Sequence, residues 1–131
     1  MTSQLIRILL AVSVCFPTNA IGADNNLTPI LVFGDSLSAA YGIEEEDGWV
    51  NLLGQRVKEE NRPYRIVNGS VSGETTTGGV ERLPGMLSAY IPKIVILELG
   101  GNDGLRGLPL AILRDNLVKM IDLVHESGSE I

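Results

Sequence analysis

Hydrophobic residues along this chain alternate between short continuous runs and runs with helical spacing. The continuous runs predict three buried strands, at Leu31–Phe33, Tyr64–Asn68 and Ile94–Leu99. Elsewhere apolar residues recur every three or four positions, which is typical of amphipathic helices. This spacing predicts helices from Trp49 to about Asn61, from about Gly79 to Tyr90 and from Leu110 to Val124. The predicted order is therefore strand, helix, strand, helix, strand, helix.

Strands that alternate with helices favour a parallel sheet with right-handed crossovers. We therefore predict an α/β fold with a three-layer, doubly wound parallel sheet of the flavodoxin-like type and strand order 2-1-3. Three strands make a small sheet for this class, and Ser129–Ile131 is where a fourth strand would begin. We expect the sequence to continue beyond residue 131, with the carboxyl-terminal part of the domain missing.

The amino-terminal segment has the pattern of an export signal. Arg7 precedes the apolar run Ile8–Phe16, which is too short to span a bilayer but suits the core of a signal peptide. Small residues at Ala20 and Ala23 offer cleavage sites, whereas a first core strand or helix is the competing interpretation. We predict a signal peptide at residues 1–23, the amino-terminal portion of a single domain at residues 24–131, and a periplasmic or secreted protein.

Charge and cysteine content narrow the possible partners. The chain has ten basic and sixteen acidic residues, for a formal net charge of −6, and removal of residues 1–23 takes away only Arg7, leaving −7. An acidic protein without a basic patch is a poor partner for nucleic acid or for an anionic membrane surface. Cys15, the only cysteine, would leave with the signal, so disulfides, cysteine catalysis and cysteine metal sites are excluded from the mature domain.

Polar and glycine-rich residues follow each predicted strand. Ser36 follows the first strand, Gly69–Thr75 the second and Gly100–Asp103 the third. Because the carboxyl ends of parallel strands lie at one edge of the sheet, we expect these segments to converge and to line one crevice there. Ser36 is a candidate nucleophile, and glycine amides with an asparagine side chain can stabilise a developing oxyanion.

Three motifs in these segments resemble those of the SGNH (GDSL) hydrolases. The motifs are Gly34-Asp35-Ser36-Leu37 with its extension to Gly42, then Ser72–Thr75, and then Glu98–Gly107. They occur in the family's order and at comparable spacing, and the resemblance covers about residues 29–127. Within the family the chain resembles the exported thioesterases, lysophospholipases and arylesterases of proteobacteria.

The resemblance implies a metal-free and cofactor-free hydrolase of small acyl esters or thioesters. It makes Ser36 the nucleophile that forms an acyl-enzyme, and it assigns the oxyanion hole to the backbone amides of Ser36 and Gly73 and to the side-chain amide of Asn102. The family's base is a histidine in a carboxyl-terminal Asp-x-x-His motif, which this sequence lacks. We therefore expect the chain by itself to be inactive.

The only histidine, His125, is a poor candidate for the base. A crossover helix runs antiparallel to its strands, so the end of the last helix lies at the opposite edge of the sheet. About 18 residues at roughly 1.5 Å rise place His125 on the order of 25 Å from the crevice. A base must approach the nucleophile to about 3 Å. We predict instead that His125 interacts favourably with the helix C-terminus.

Other polar residues have structural interpretations. We predict loop hydrogen bonds for Ser38, Ser70 and Ser72, and a hydrogen-bonded structural role for Glu98. Asp35 and Asp103 are predicted to accept local backbone amides. Glu44–Asp47 is predicted to be a solvated loop. Two other functions remain open. One is a flavodoxin-like binding module that holds a phosphate at Ser72–Thr77, and the other is a sugar O-acetylesterase.

Overall fold

The computed structural model describes residues 27–131, so the predicted signal peptide lies outside the described residues. Within this range the strands are β1 (Thr28–Gly34), β2 (Tyr64–Asn68) and β3 (Ile94–Glu98). The helices are α1 (Trp49–Glu59), α2 (Thr76–Tyr90), α3 (Gly101–Leu105) and α4 (Leu110–Glu126), and a short 3₁₀ helix spans Glu45–Asp47. The strands form a parallel sheet in the order β2-β1-β3. The predicted α/β class and strand order are confirmed.

The main core lies on one face of the sheet, beneath α2 and α4. Alternate strand residues point to this face, and they pack with buried residues of the two helices: Leu31, Phe33, Val67, Leu83, Leu87, Val95, Met120 and Val124. Gly79 allows α2 to lie close to the end of β3 and to α4, since a Cβ there would lie 2.7 Å from Leu99 Cδ1 and 3.0 Å from Met120 Sδ.

The other face of the sheet is covered by α1. Val50 of α1 is buried, and Gly54 packs over the edge strand, with its Cβ position 3.7 Å from Ile66 Cγ1. Ile66 and Val67 are adjacent in β2 and point to opposite faces, so helices lie on both sides. This arrangement gives the predicted three layers.

The residues after α4 return to the outer side of β3. Ser129 Oγ donates to the carbonyl of Pro92 at 2.7 Å, and Glu130 forms a parallel bridge with Ile94. The amide of Val95 donates to Glu130 O at 2.8 Å. Ser129–Ile131 therefore lies where the sequence predicted a fourth strand to begin.

Two boundaries near the site differ from the sequence prediction. Helix α2 begins at Thr76 rather than near Gly79, because Thr75 caps it through Oγ1, which accepts the amide of Gly78 at 3.4 Å, and because the carboxylate of Asp103 accepts the amide of Thr76. Helix α3 was not predicted, because five residues rich in glycine carry no apolar periodicity. It follows a turn at Gly100, whose φ of +122° suits glycine. No helix within residues 27–131 has the length and apolar character required to cross a bilayer.

Candidate active site

A tight turn after β1 presents Ser36 at the carboxyl edge of the sheet. Its backbone is wound like a helix, with the amide of Ala39 donating to Asp35 O at 3.0 Å and that of Tyr41 donating to Ser36 O at 3.1 Å. Asp35 is 3% exposed, and its Oδ1 accepts the amide of Leu37 at 3.0 Å. This bond confirms the predicted local contact of Asp35. Ser36 itself is half-buried, and hydrogen bonds of the residues before and after it restrain the turn.

The loop after β2 runs beside the end of β1. Ser70 Oγ accepts the amide of Gly34 at 3.1 Å, which confirms the predicted loop hydrogen bond of Ser70. The amide of Val71 donates to Gly34 O at 3.0 Å. The loop then turns at Gly73, whose φ of +80° is a conformation that glycine adopts at low cost. The bonds of Ser70 and Val71 attach the loop that contains the second motif to Gly34, two positions before Ser36.

Asn102 lies in α3, and its side chain reaches the same turn. Its Nδ2 donates to Asp35 Oδ2 at 2.9 Å. The N-terminus of α3 is also close, since a Cβ at Gly101 would lie 3.4 Å from the same oxygen. An asparagine amide carries two hydrogens, so one remains for a ligand in the crevice.

Arg106 connects the second and third loops. It follows α3, and its Nη2 donates to the carbonyl of Gly73 at 2.8 Å. The three loops are therefore hydrogen-bonded in pairs. Gly34 joins the first loop to Ser70 and Val71 of the second, Asp35 joins the first to Asn102 of the third, and Gly73 joins the second to Arg106 of the third. The fold thus places Ser36, Gly73 and Asn102 on three linked segments, while their catalytic roles stay predictions.

Asp103 corrects one sequence prediction. It is fully buried, and its carboxylate accepts the backbone amide of Thr76 at 2.9 Å and the hydroxyl of the same residue. Asn116 Nδ2 donates to Thr76 Oγ1 at 3.1 Å and extends this network to α4. The prediction of a local backbone contact is therefore wrong, because Asp103 bonds to a residue 27 positions earlier. A carboxylate already occupies the N-terminus of α2, which disfavours a phosphate there.

Glu98 and Ser38 hydrogen-bond to each other beneath the Ser36 turn. Ser38 Oγ donates to Glu98 Oε2 at 2.9 Å, and Ser38 is 2% exposed. The predicted hydrogen-bonded roles of both residues are confirmed. Ser72 is exposed, and its predicted hydrogen bond stays a prediction.

Arg82 supports the second loop, although the sequence reasoning did not identify it. Its Nε pairs with Glu74 Oε2 at 2.8 Å, its Nη1 donates to Gly69 O at 2.7 Å, and its guanidinium lies 4.2 Å from the ring centroid of Phe33. One side chain thus holds both ends of the loop segment that contains Gly73. The only sequence signal is an opposite charge eight residues away. Arg106 was missed too, although it lies within the third motif.

His125 lies at the far edge of the sheet. It is exposed near the C-terminus of α4, where its carbonyl accepts the amide of Gly128 at 3.0 Å. The following residue, Ser129, contacts Pro92 immediately before β3. This places His125 at the amino end of the strands and agrees with the prediction from helix direction.

Two remaining features do not contribute to the crevice. Glu44–Asp47 is exposed, and within residues 27–131 no group of three or more His, Cys, Asp or Glu side chains is arranged to hold a metal. A cavity of about 450 Å³ lies between α1 and β2, with Asn51, Lys58, Ile66 and Asn68 in its lining. It lies on the α1 side of the sheet and is not lined by Ser36, Gly73 or Asn102.

Comparison with known proteins agrees with these motifs. Residues 32–131 match the GDSL-like lipase/acylhydrolase family. The chain is 47% identical over 102 residues to Esterase TesA of Pseudomonas aeruginosa and 45% identical over 102 residues to an arylesterase of Vibrio mimicus. Each match covers 78% of this chain and 51% of the other protein.

Solved structures show the same similarity. The crystal structure of TesA aligns with a TM-score of 0.76 and 47% identity, over 78% of this chain and 57% of that chain. The psychrotrophic esterase EstA from Pseudoalteromonas sp. aligns with a TM-score of 0.75 and 41% identity, over 78% and 56%. The chain spans about half the length of the curated relatives that it matches. With its three motifs joined at one edge of a parallel sheet, this chain belongs to the GDSL-like lipase/acylhydrolase family.

Proposed function

We propose that the protein containing this chain is a serine hydrolase of carboxylic esters or thioesters. The observation that carries the proposal is the pairwise linkage of the three loops at the carboxyl edge, because the loops that carry Ser36, Gly73 and Asn102 are hydrogen-bonded to one another. Asp35 Oδ2 orients the amide of Asn102, and the carbonyl of Gly73 is held by Arg106. Nucleophilic serine chemistry requires such donors, arranged before the reaction begins.

In the proposed reaction Ser36 Oγ attacks the carbonyl carbon of the ester or thioester. A base removes the serine proton, and the carbonyl oxygen gains charge as the tetrahedral intermediate forms. The backbone amides of Ser36 and Gly73, with Asn102 Nδ2, donate to that oxygen. Collapse expels the alcohol or thiol, which takes up the proton, and water then hydrolyses the acyl-enzyme on Ser36.

The base comes from outside residues 27–131 in this proposal. The chain has one histidine, His125, and it lies at the opposite edge of the sheet. Because the relatives are about twice as long as the matched region, we propose that later sequence supplies an Asp-x-x-His motif. Without it the chain retains a nucleophile and oxyanion donors but no group that activates Ser36.

Apolar side chains near the crevice favour substrates with an apolar acyl or aryl group. Leu37, which directly follows Ser36, is 73% exposed, and Leu105, at the end of α3, is 87% exposed. Their exposure offers apolar contact to a substrate in the crevice. The relatives named esterase and arylesterase fit this class. A protein from Escherichia coli named thioesterase 1/protease 1/lysophospholipase L1 fits it too. That protein is 37% identical over 101 residues, which cover 77% of this chain and 47% of the other protein. A sugar O-acetylesterase would instead prefer a short acyl group on a polar alcohol.

The test is a fusion protein, defined as residues 24–131 joined to the carboxyl-terminal half of TesA from Pseudomonas aeruginosa. We expect the fusion to hydrolyse p-nitrophenyl esters, its Ser36→Ala variant to form no acyl-enzyme, and residues 24–131 alone to show little or no activity. The TesA half alone is the control. Equal hydrolysis by the fusion and its Ser36→Ala variant would contradict the proposal, as would loss of activity in a His125→Ala fusion.

We also propose export to the periplasm or medium, supported by the apolar run after Arg7. Expression of the whole chain in a bacterium should yield an exported species that begins near residue 21 or 24. Intact-mass measurement checks this cleavage, and retention of residues 1–20 in the exported species would refute it.

A further inference from the structure

Glu98 is an acidic residue at the end of an apolar strand, directly opposite the start of the nucleophile turn. It pairs with Gly34 in the register of β1 and β3. Its Oε2 accepts the hydroxyl of Ser38 at 2.9 Å and lies 3.4 Å from the amide nitrogen of Asp35. One carboxylate oxygen therefore contacts residues on both sides of Ser36.

The contact depends on the space left by Gly34. A Cβ at this position would lie 2.7 Å from Ser38 Oγ and 2.8 Å from Glu98 Oε2, closer than carbon and oxygen atoms pack. Gly34, Ser38 and Glu98 are thus mutually dependent, although Glu98 lies 60 residues after Ser38 in the chain. Steric fit, and not only charge, places the carboxylate beneath the turn.

Ser38 also accepts a hydrogen bond from β2, which lies on the other side of β1 from β3. Asn68, the last residue of β2, donates through Nδ2 to the carbonyl of Ser38 at 2.8 Å. The ends of both strands that flank β1 therefore bind one buried residue of the turn. Since Ser38 lies two positions after Ser36, its placement determines the direction in which the turn carries the nucleophile.

We infer that Glu98 is a positioning residue for Ser36, acting through Ser38 and the amide of Asp35; this inference rests on the proposed function. Hydrogen bonds to a carboxylate are stronger than neutral ones, so the contact restrains the turn. Displacement of a reacting atom by about 1 Å can lower a rate by roughly 10²-fold. A purely structural Glu98 would instead change the fraction of folded protein and leave the kcat of the folded fraction unaltered.

Kinetics of the fusion protein separate these two roles. We expect Glu98→Leu to lower kcat by about 10- to 100-fold with a smaller effect on KM, because displacement of the turn moves Ser36 and Leu37 while Leu105 on α3 stays in place. Glu98→Gln keeps an oxygen acceptor and should restore most of kcat. Ser38→Ala should lower kcat too, and the Glu98→Leu/Ser38→Ala double variant should lose less than the product of the two single effects, since both act through one contact.

Glu81→Leu is the matched control, because Glu81 is an exposed carboxylate on α2. Its kcat and KM should equal those of the parent fusion. An unchanged kcat in Glu98→Leu, or independent losses in the double variant, would overturn the inference. The same holds if Glu98→Gln is as impaired as Glu98→Leu.

Hydrogen exchange tests the inference without catalysis. In the 131-residue chain, Glu98→Leu should speed amide exchange in residues 35–41 while exchange in α4 stays unchanged. Unaltered exchange in residues 35–41 would show that Glu98 does not hold the turn. If the parent fusion lacks Ser36-dependent hydrolysis, the proposed function fails, and the exchange result alone decides whether Glu98 restrains the turn.

Discussion

The side-chain amide of Asn102 donates to Asp35 Oδ2 at 2.9 Å, and Asp35 immediately precedes Ser36. The other carboxylate oxygen of Asp35 accepts the amide of Leu37, immediately after Ser36. One aspartate therefore fixes both the serine turn and the donor proposed to face it. An amide oriented in this way needs no rearrangement when charge develops on a substrate oxygen.

Loss of the Asn102 amide should slow the proposed reaction. In the fusion protein, Asn102→Ala should lower kcat by roughly 10²-fold, the scale of one oxyanion donor, with a smaller effect on KM. Steady-state hydrolysis of a p-nitrophenyl ester measures both constants. Asn51→Ala, half-buried in α1 and outside the three loops that carry Ser36, Gly73 and Asn102, is the control with parent kinetics. Equal turnover by Asn102→Ala and the parent would remove Asn102 from the oxyanion hole.

Arg106 should support catalysis by restraining the loop at Gly73. Arg106→Leu removes the 2.8 Å hydrogen bond to the Gly73 carbonyl, so the loop that presents the Gly73 amide is restrained less. We expect kcat of the fusion to fall by about 10-fold, less than for direct loss of a donor. Arg114→Leu, an exposed arginine of α4, should leave kcat unchanged. A loss of the same size in both variants would indicate a general charge effect instead.

Asp103 should contribute mainly to stability. Asp103→Ala leaves the buried amide and hydroxyl of Thr76 without their acceptor, which should lower the free energy of unfolding by about 3 kcal/mol. Urea denaturation of the fusion measures this change. Asp103→Asn retains an acceptor oxygen and should cost less, and the exposed Asp122→Ala should stay within about 0.5 kcal/mol of the parent. A small effect of Asp103→Ala would mean that water replaces the carboxylate.

Two glycine substitutions should act in opposite directions. Gly34→Ala places a methyl group against Ser38 Oγ and Glu98 Oε2, and such overpacking costs about 1–3 kcal/mol. Gly85→Ala meets no atom within 4 Å in α2, so higher helix propensity should stabilise the protein by about 0.5–1 kcal/mol. Thermal unfolding of the two fusion variants gives the comparison. Equal melting temperatures would show that the space at Gly34 is not restrictive.

The sequence alone determined the order of strands and helices and the edge at which the motifs meet. The bounds of β2, Tyr64–Asn68, follow directly from its β-favouring residues, and hydrophobic spacing located the start of α1 at Trp49 and that of α4 at Leu110. Local patterns suffice for these features because burial of one face makes hydrophobic residues recur every two positions in a strand and every 3.6 positions in a helix. The parallel arrangement then requires that the loops after the strands share one edge.

Only the tertiary structure decided how those loops are held. The amide of Thr76, the first residue of α2, bonds to Asp103, 27 residues later, and the orientation of Asn102 depends on Asp35, 67 residues earlier. The bond from Ser38 to Glu98 spans 60 residues and passes through the space left by Gly34. Hydrophobic periodicity records which face of an element is buried, but not which polar atom meets which. Those pairings form only when packing of the sheet and helices brings distant segments within hydrogen-bond distance.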